Sequence, residues 1–371
     1  MKYLLTIFFS FYLLMGNSQN TFNIRPSFSF EAPSLLTNVI PTDSCYYAMG
    51  IIRDTASTAS FISSLFVKFD LDGNFIYDKI LSSSERTYEV WSNSLIAKDN
   101  KFFVAGESRG FGFTTRAIFF KLNNQGDTLL TQDYFNPQYP QCPDATFINV
   151  QDFKPTFDNG FVFTGYTVKK CPTFNADIHL VKLDSMGNTE WFNTYGNGRR
   201  DIGMSLIVKE NGSIIVGAVK TNTDEVTENY LWQTHIFQVD SLGNEEWTYL
   251  SPPDVQRDGA KEMVLLDDGS LIVASGIGYE QERASVNDMW FEKSVFKLNP
   301  DHELEWEKEF KDATLGPTTY TTNIIALSDN SGVVITGTDT YNPPVSWIYQ
   351  KTGWIMKMDL AGDTLWSRRY V

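Results

Sequence analysis

The sequence predicts an all-β chain: a β-propeller of six four-stranded antiparallel blades, with an incomplete seven-bladed ring as the other reading. Three observations carry this. The first is a strand–turn–strand unit read best from Lys182 to Trp191, which recurs six times, at Lys68, Lys121, Gln238, Lys297 and Lys357 as well. Its turn position is Gly73, Gly126, Gly187, Gly243, His302 and Gly362, at intervals of 53, 61, 56, 59 and 60 residues. A fixed period of this size marks a repeat architecture. The second is an apolar run ending in a small residue, such as Phe161-Val162-Phe163-Thr164-Gly165, behind a turn such as Asp158-Asn159-Gly160. The third is a strand before each Gly turn that is apolar on both faces, which requires cover on both faces. Sheets sandwiched between copies of themselves are propeller blades.

The elements follow in order. Lys2 precedes an apolar run from Tyr3 to Met15, with small residues Gly16 and Ser18 behind it. This reads as a secretory signal peptide over residues 1–18, too short for the ~20 residues of a membrane span. Residues 19–371 then form one repeat domain of six units of about 58 residues. Thr21 to Phe30 alternates as a strand does, interrupted by Pro26. In unit one, strand a is Ser34 to Ile40, b is Cys45 to Ile52, c is Ser64 to Phe69 and d is Phe75 to Ile80. The Asn-Gly and Asp-Gly dipeptides between a and b suit turns that need positive φ. The c–d turn, with Gly near its end, suits closure by a bulge. The small residue late in strand b (Gly50, Gly106, Gly165, Gly217, Ala274, Gly337) suits close approach of a neighbouring backbone. Four residues after the turn position come Tyr77, Leu130, Trp191, Trp247, Trp306 and Trp366, expected to fill the seams between blades. The strand count leaves two readings of closure. Six blades close with the N-terminal strand surplus, or these residues are part of a ring of seven.

Units of the form K-L-D-x-x-G-N-x-x-W-x-x-x-Y, preceded by D-N-G and an apolar run ending in Gly, resemble the secreted propeller-repeat proteins of Bacteroidota, of the delta-60 kind. Lys182 to Tyr195 carries the resemblance best. It implies a propeller fold and export to the exterior or the cell surface, in many such proteins by type IX secretion. It implies no catalytic residue. Quinoprotein repeats differ by a longer loop between Asp and Gly than Asp184 to Gly187, and sialidase repeats differ in spacing.

The formal charge of -15 argues against nucleic acid and anionic membranes, which both need a basic surface. No segment after the leader is predicted to enter a membrane. G-x-S-x-G, H-E-x-x-H and phosphate-loop motifs are absent, and no cofactor or metal is implied. Asp70 to Asn74 lacks the closing Glu of a calcium loop and reads as a hairpin. His179 and His235 share a register in adjacent strands c, without a third metal ligand, and read as packed histidines. Asp267-Asp268 and Asp224-Glu225 read as solvated turn charge. Cys142 and Cys171 belong to segments expected on one face, which predicts a Cys142–Cys171 disulfide with Cys45 free.

The a–b and c–d turns are short; the b–c and d–a segments are long and share the opposite face. Binding residues concentrate in such loops on a rigid scaffold. The segments Glu107 to Arg116, Tyr166 to Ala176, Thr221 to Trp232, Gly276 to Lys293 and Thr338 to Gly353 read as loops rich in aromatics. Trp290 and Trp347 are the leading candidates for a glycan or protein partner, with Trp232, Tyr230, Tyr279 and Tyr341 beside them. The predicted function is a secreted or cell-surface binding module rather than an enzyme. A propeller-type polysaccharide-active enzyme is the alternative.

Overall fold

A computed structural model describes residues 34–53, 62–83, 85–90, 94–110, 115–135, 146–169, 175–196, 200–223, 230–252, 257–280, 289–310, 318–341 and 350–370. The predicted leader, the predicted strand from Thr21 to Phe30, Cys142, Cys171 and Trp347 lie outside them. Every element among the described residues is a strand. Unit one is Ser34–Pro41, Cys45–Ile52, Ser63–Asp70 and Phe75–Leu81. In unit two strand a is split into Arg86–Glu89 and Leu95–Lys98, followed by Lys101–Gly110, Thr115–Asn123 and Thr128–Tyr134. Unit three splits strand a into Thr146–Ile148 and Asp152–Pro155, followed by Phe161–Lys169, Asn175–Leu183 and Thr189–Tyr195. Unit four is Ile202–Val208, Ile214–Thr223, Tyr230–Val239 and Glu245–Leu250. Unit five is Arg257–Leu265, Leu271–Glu280, Met289–Leu298 and Leu304–Phe310. Unit six is Thr318–Ala326, Val333–Tyr341, Gln350–Met358 and Thr364–Tyr370. Each unit is an antiparallel a-b-c-d meander.

Local chemistry sets this pattern. The turn residues Gly73, Gly187 and Gly243 have φ of 81°, 88° and 85°, and His302 takes 66° in the fifth copy. Asp184 fixes the turn: its Oδ1 accepts from the Met186 and Asn188 amides, and its Oδ2 from the Asn188 side chain, all at 2.8 Å. Asp70 and Asp240 make the same bonds, so these carboxylates serve the hairpin. A register shift between strands c and d follows in every unit, with one extra residue on strand d, the bulge the sequence predicts. The small residue late in strand b is explained as well. A Cβ on Gly165 would lie 2.2 Å from the Asn149 carbonyl, and one on Gly50 2.0 Å from the Leu35 carbonyl.

Successive units stack face to face in a propeller-like series. Phe103 and Phe119 of unit two pack on Phe153, Phe161, Phe163 and Val181 of unit three. Leu180 and Trp191 of unit three pack on Val216 and Phe237 of unit four. Strand c therefore gives one set of residues to the unit before and the alternate set to the unit after. The strand-d aromatic locks each seam by reaching the next c–d turn. Trp191 Nε1 donates to the Ser241 carbonyl at 3.0 Å, and Trp306 Nε1 to the Leu360 carbonyl at 3.2 Å. Tyr134 donates to the Gly187 carbonyl at 2.7 Å, and Trp247 stacks on His302 at 3.8 Å. Trp366 departs from the expectation: it is 41% exposed.

Two further readings are corrected. The segments after strand b are largely sheet. Strands b and c run on as long hairpins, so that Tyr279 pairs with Trp290, Thr223 with Tyr230, Thr221 with Trp232 and Tyr341 with Gln350. Aromatic and β-branched residues favour that extension, and the five candidates other than Trp347 thus sit at strand positions rather than in loops. Strand a is also not a single strand in units two and three. It breaks beside Gly106 and Gly165, where the partner backbone presses close.

Candidate ligand-binding site

The described polar groups of most chemical interest gather where strands a and b of units two to four reach the long-segment side. In unit two, Glu89 and Glu107 are register partners on adjacent antiparallel strands. Like charges directly opposite repel. Arg109, two residues beyond Glu107 and so on the same face, bridges them. Its Nη2 lies 3.0 Å from Glu107 Oε2 and 3.4 Å from Glu89 Oε2. The two carboxylate side chains are 1% and 4% exposed, and the arginine is 45% exposed. A half-exposed guanidinium is thus anchored on two buried acids. Burial pushes both carboxyls above the usual range, against the pull of Arg109. The two acids in turn hold the Arg109 proton more tightly, outweighing its own desolvation.

Unit three extends the site. Asn149 donates its side-chain amide to Glu107 Oε1 and its backbone N–H to the Tyr166 carbonyl. Gln151 Nε2 donates to Asn149 Oδ1 at 2.6 Å. Tyr166 is half-buried and stacks on Phe147 at 5.5 Å. Burial pushes its hydroxyl upward, and Glu107 adds to this, whereas Arg200 and Arg109 oppose it. Arg200 is exposed, with its guanidinium carbon 5.8 Å from the Trp232 ring. Its backbone is fixed by Thr221 Oγ1, which donates to the Arg200 carbonyl at 2.6 Å. The result is a run of guanidinium and aromatic groups across three units: Arg109, Tyr166, Arg200 and Trp232. Guanidinium forks suit carboxylates, and aromatic faces suit the apolar faces of sugar rings.

The predicted site residues fare unequally. Trp232 joins this run. Trp290 and Tyr279 are brought opposite each other in unit five, and Tyr230 and Tyr341 lie on strands of units four and six. Trp347 and the Cys142–Cys171 pair lie outside the described residues. Cys45 is free and buried. His179 is fully buried between Phe163 and Phe192, with Nε2 2.6 Å from the Asn149 carbonyl. His235 stacks on Phe237, with Nε2 3.0 Å from Thr248 Oγ1. Both are packed histidines, and burial lowers each to about 4. Sequence reading missed Glu89, Glu107 and Arg109. The available signal was Glu107-Ser108-Arg109 late in a strand b, where unit three has Tyr166-Thr167-Val168.

No protein-family model matches the chain, and no curated protein matches its sequence. Solved structures do resemble it. The WD40 domain of Neurospora crassa Pan2 matches with a TM-score of 0.45 and 8% identity, over 89% of this chain and 76% of that one. A thermostable family-43 glycoside hydrolase matches at 0.39 and 9%, over 71% and 87%. An endo-1,4-beta-xylanase from Bacteroides thetaiotaomicron matches at 0.38 and 13%, over 76% and 97%. With all three scores below 0.5, no ligand, reaction or partner of these proteins transfers to this chain.

Proposed function

We propose that this chain is an exported, secreted or surface-held β-propeller whose six units are successive blades, and that it binds a glycan on its long-segment side. Export rests on the leader and on the resemblance to Bacteroidota repeat proteins, with type IX secretion as the proposed route. The observation that carries the binding role is the half-exposed Arg109 held on buried Glu89 and Glu107, with Tyr166 in electrostatic reach of Arg109 and Arg200, and Trp232 beside Arg200. Fixing a guanidinium in advance lowers the ordering cost of binding. The exposed Arg200 beside Trp232 is a local cation on a chain of charge -15, and it favours a saccharide bearing carboxylates, a uronate, whereas Arg109, already held on two acids, offers its remaining N–H donors.

The test is affinity electrophoresis and titration calorimetry against polygalacturonate, alginate and neutral polysaccharides. Binding to an acidic polymer, weakened about tenfold or more by W232A and by R200A, supports the reading; tenfold is ~1.4 kcal/mol. R109K keeps the charge but loses the fork and weakens binding in the same direction. Absence of binding to every acidic polymer, or binding indifferent to all three variants, overturns it.

One observation favours the enzyme reading instead. Glu89 and Glu107 are paired carboxyls, both pushed upward by burial, a device that suits acid–base work. Arg109 lies over them, however, and they are scarcely exposed. Hydrolysis of a polysaccharide by the wild type, abolished by E107Q, would establish the enzyme.

A further inference from the structure

The sixth unit presents a face that in every other unit is a seam. The residues of a unit that face the next one occupy fixed positions: one in strand b, one in strand c and the strand-d aromatic or Leu. In unit three these are Val162, Leu180 and Trp191, packed on unit four. In units four and five they are Ile215, Ile236 and Trp247, and then Ile272, Val295 and Trp306. The strand-c member, Phe66, Phe119, Leu180, Ile236 or Val295, is at most 1% exposed in units one to five. In unit six the same positions hold Val334, Ile355 and Trp366. Val334 and Ile355 are only partly buried, Trp366 is 41% exposed, and all of Thr364–Tyr370 is exposed.

The opposite faces are taken. Units two to six are each covered by the unit before them. In unit one, Leu65 and Val67, which point away from unit two, are fully buried. Among the described residues, the next-facing side of unit six is thus the seam face left open.

We propose that the outer face of unit six is an interaction surface for a further repeat unit of the same kind. Its partner is a four-stranded blade with an apolar strand c and an Asp/Asn-x-x-Gly turn between strands c and d. The five existing seams define the contact. The turn of the partner brings a backbone carbonyl to the Trp366 indole N–H, as Ser241 does for Trp191 and Leu360 for Trp306. Its strand c covers Ile355 and Val334. The surface is apolar at its centre and directional through the indole, so it selects a blade edge over a helix or a flat sheet.

The experiment appends a copy of residues 257–310 after Val371 in the full chain, with a scrambled unit of equal length as control. Acrylamide quenching, taken as the difference between each protein and its W366F variant, reports on Trp366. The expected result is at least a severalfold drop in Trp366 quenching and a higher thermal midpoint in the extended chain. Neither occurs with the scrambled unit, and I355D in the extended chain cancels both. Unchanged quenching on extension overturns the proposal. So does Trp366 that is already protected in the unextended chain at low concentration, or that becomes protected by self-association as concentration rises, because the occupant is then another part of the chain or a second copy.

Discussion

At the residue scale, the Glu89–Glu107–Arg109 triad sets a measurable balance. Removing Arg109 leaves two buried carboxylates in register with no cation, so R109A is expected to lose about 3–5 kcal/mol at pH 7. A carboxyl whose folded pKa is raised keeps its proton in the folded state longer than in the unfolded state, so its protonation restores stability as pH falls. The deficit of R109A should therefore shrink between pH 7 and pH 4.5, as urea unfolding at each pH would report. His179 has the opposite slope. Its pKa falls to about 4 on folding, so the unfolded chain takes up the proton first and the contribution of His179 to stability drops from about pH 6.5 to pH 4. The cost is on the order of 2–3 kcal/mol. H179F lacks this titration, and its stability relative to wild type should improve across that range.

At the scale of elements, the strand-d tryptophan is one residue type in one register with two environments. Trp306 packs into the seam with unit six and bonds its turn, whereas Trp366 stands in solvent. W306A is expected to cost about 3 kcal/mol, as for loss of a packed aromatic. W366A should stay within about 1 kcal/mol, as for a surface change. Equal effects in denaturant titrations would refute the seam assignment. The lysine before the turn also has an element-level role. Lys182 reaches Asp158 in the a–b turn at 2.7 Å and Glu190 in strand d at 2.8 Å, tying both hairpins of one unit together. Lys297 repeats the second of these with Glu305 at 3.0 Å.

At the scale of the whole molecule, each unit contacts its neighbours in the series, so stability follows nearest-neighbour rules. Deleting residues 318–371 should leave units one to five folded, with Trp306 newly exposed and its emission shifted to the red. Global loss of β-sheet circular dichroism in that variant would show the array to be a single cooperative ring instead.

The sequence by itself determined the unit. Gly187 and its counterparts, the Asx turn around Asp184 and the alternation along strand c are local features, and each depends on residues a few positions apart. The same locality made the seam aromatics legible, because every copy repeats the spacing from turn to Trp. The tertiary structure decided what depends on register between distant strands. Glu89 and Glu107 are 18 positions apart, and only the pairing of their strands opposes them and brings Arg109 across both. The same holds for Trp232, which gains Arg200 through the fold around unit four. The extent of the b–c hairpins was misread because polar strand ends such as Lys220-Thr221-Asn222 resemble loops until their partner strand is in place. The open face of unit six was invisible in the sequence, since Trp366 carries the same motif as Trp306. Burial belongs to the neighbour, and the neighbour is fixed only by the fold.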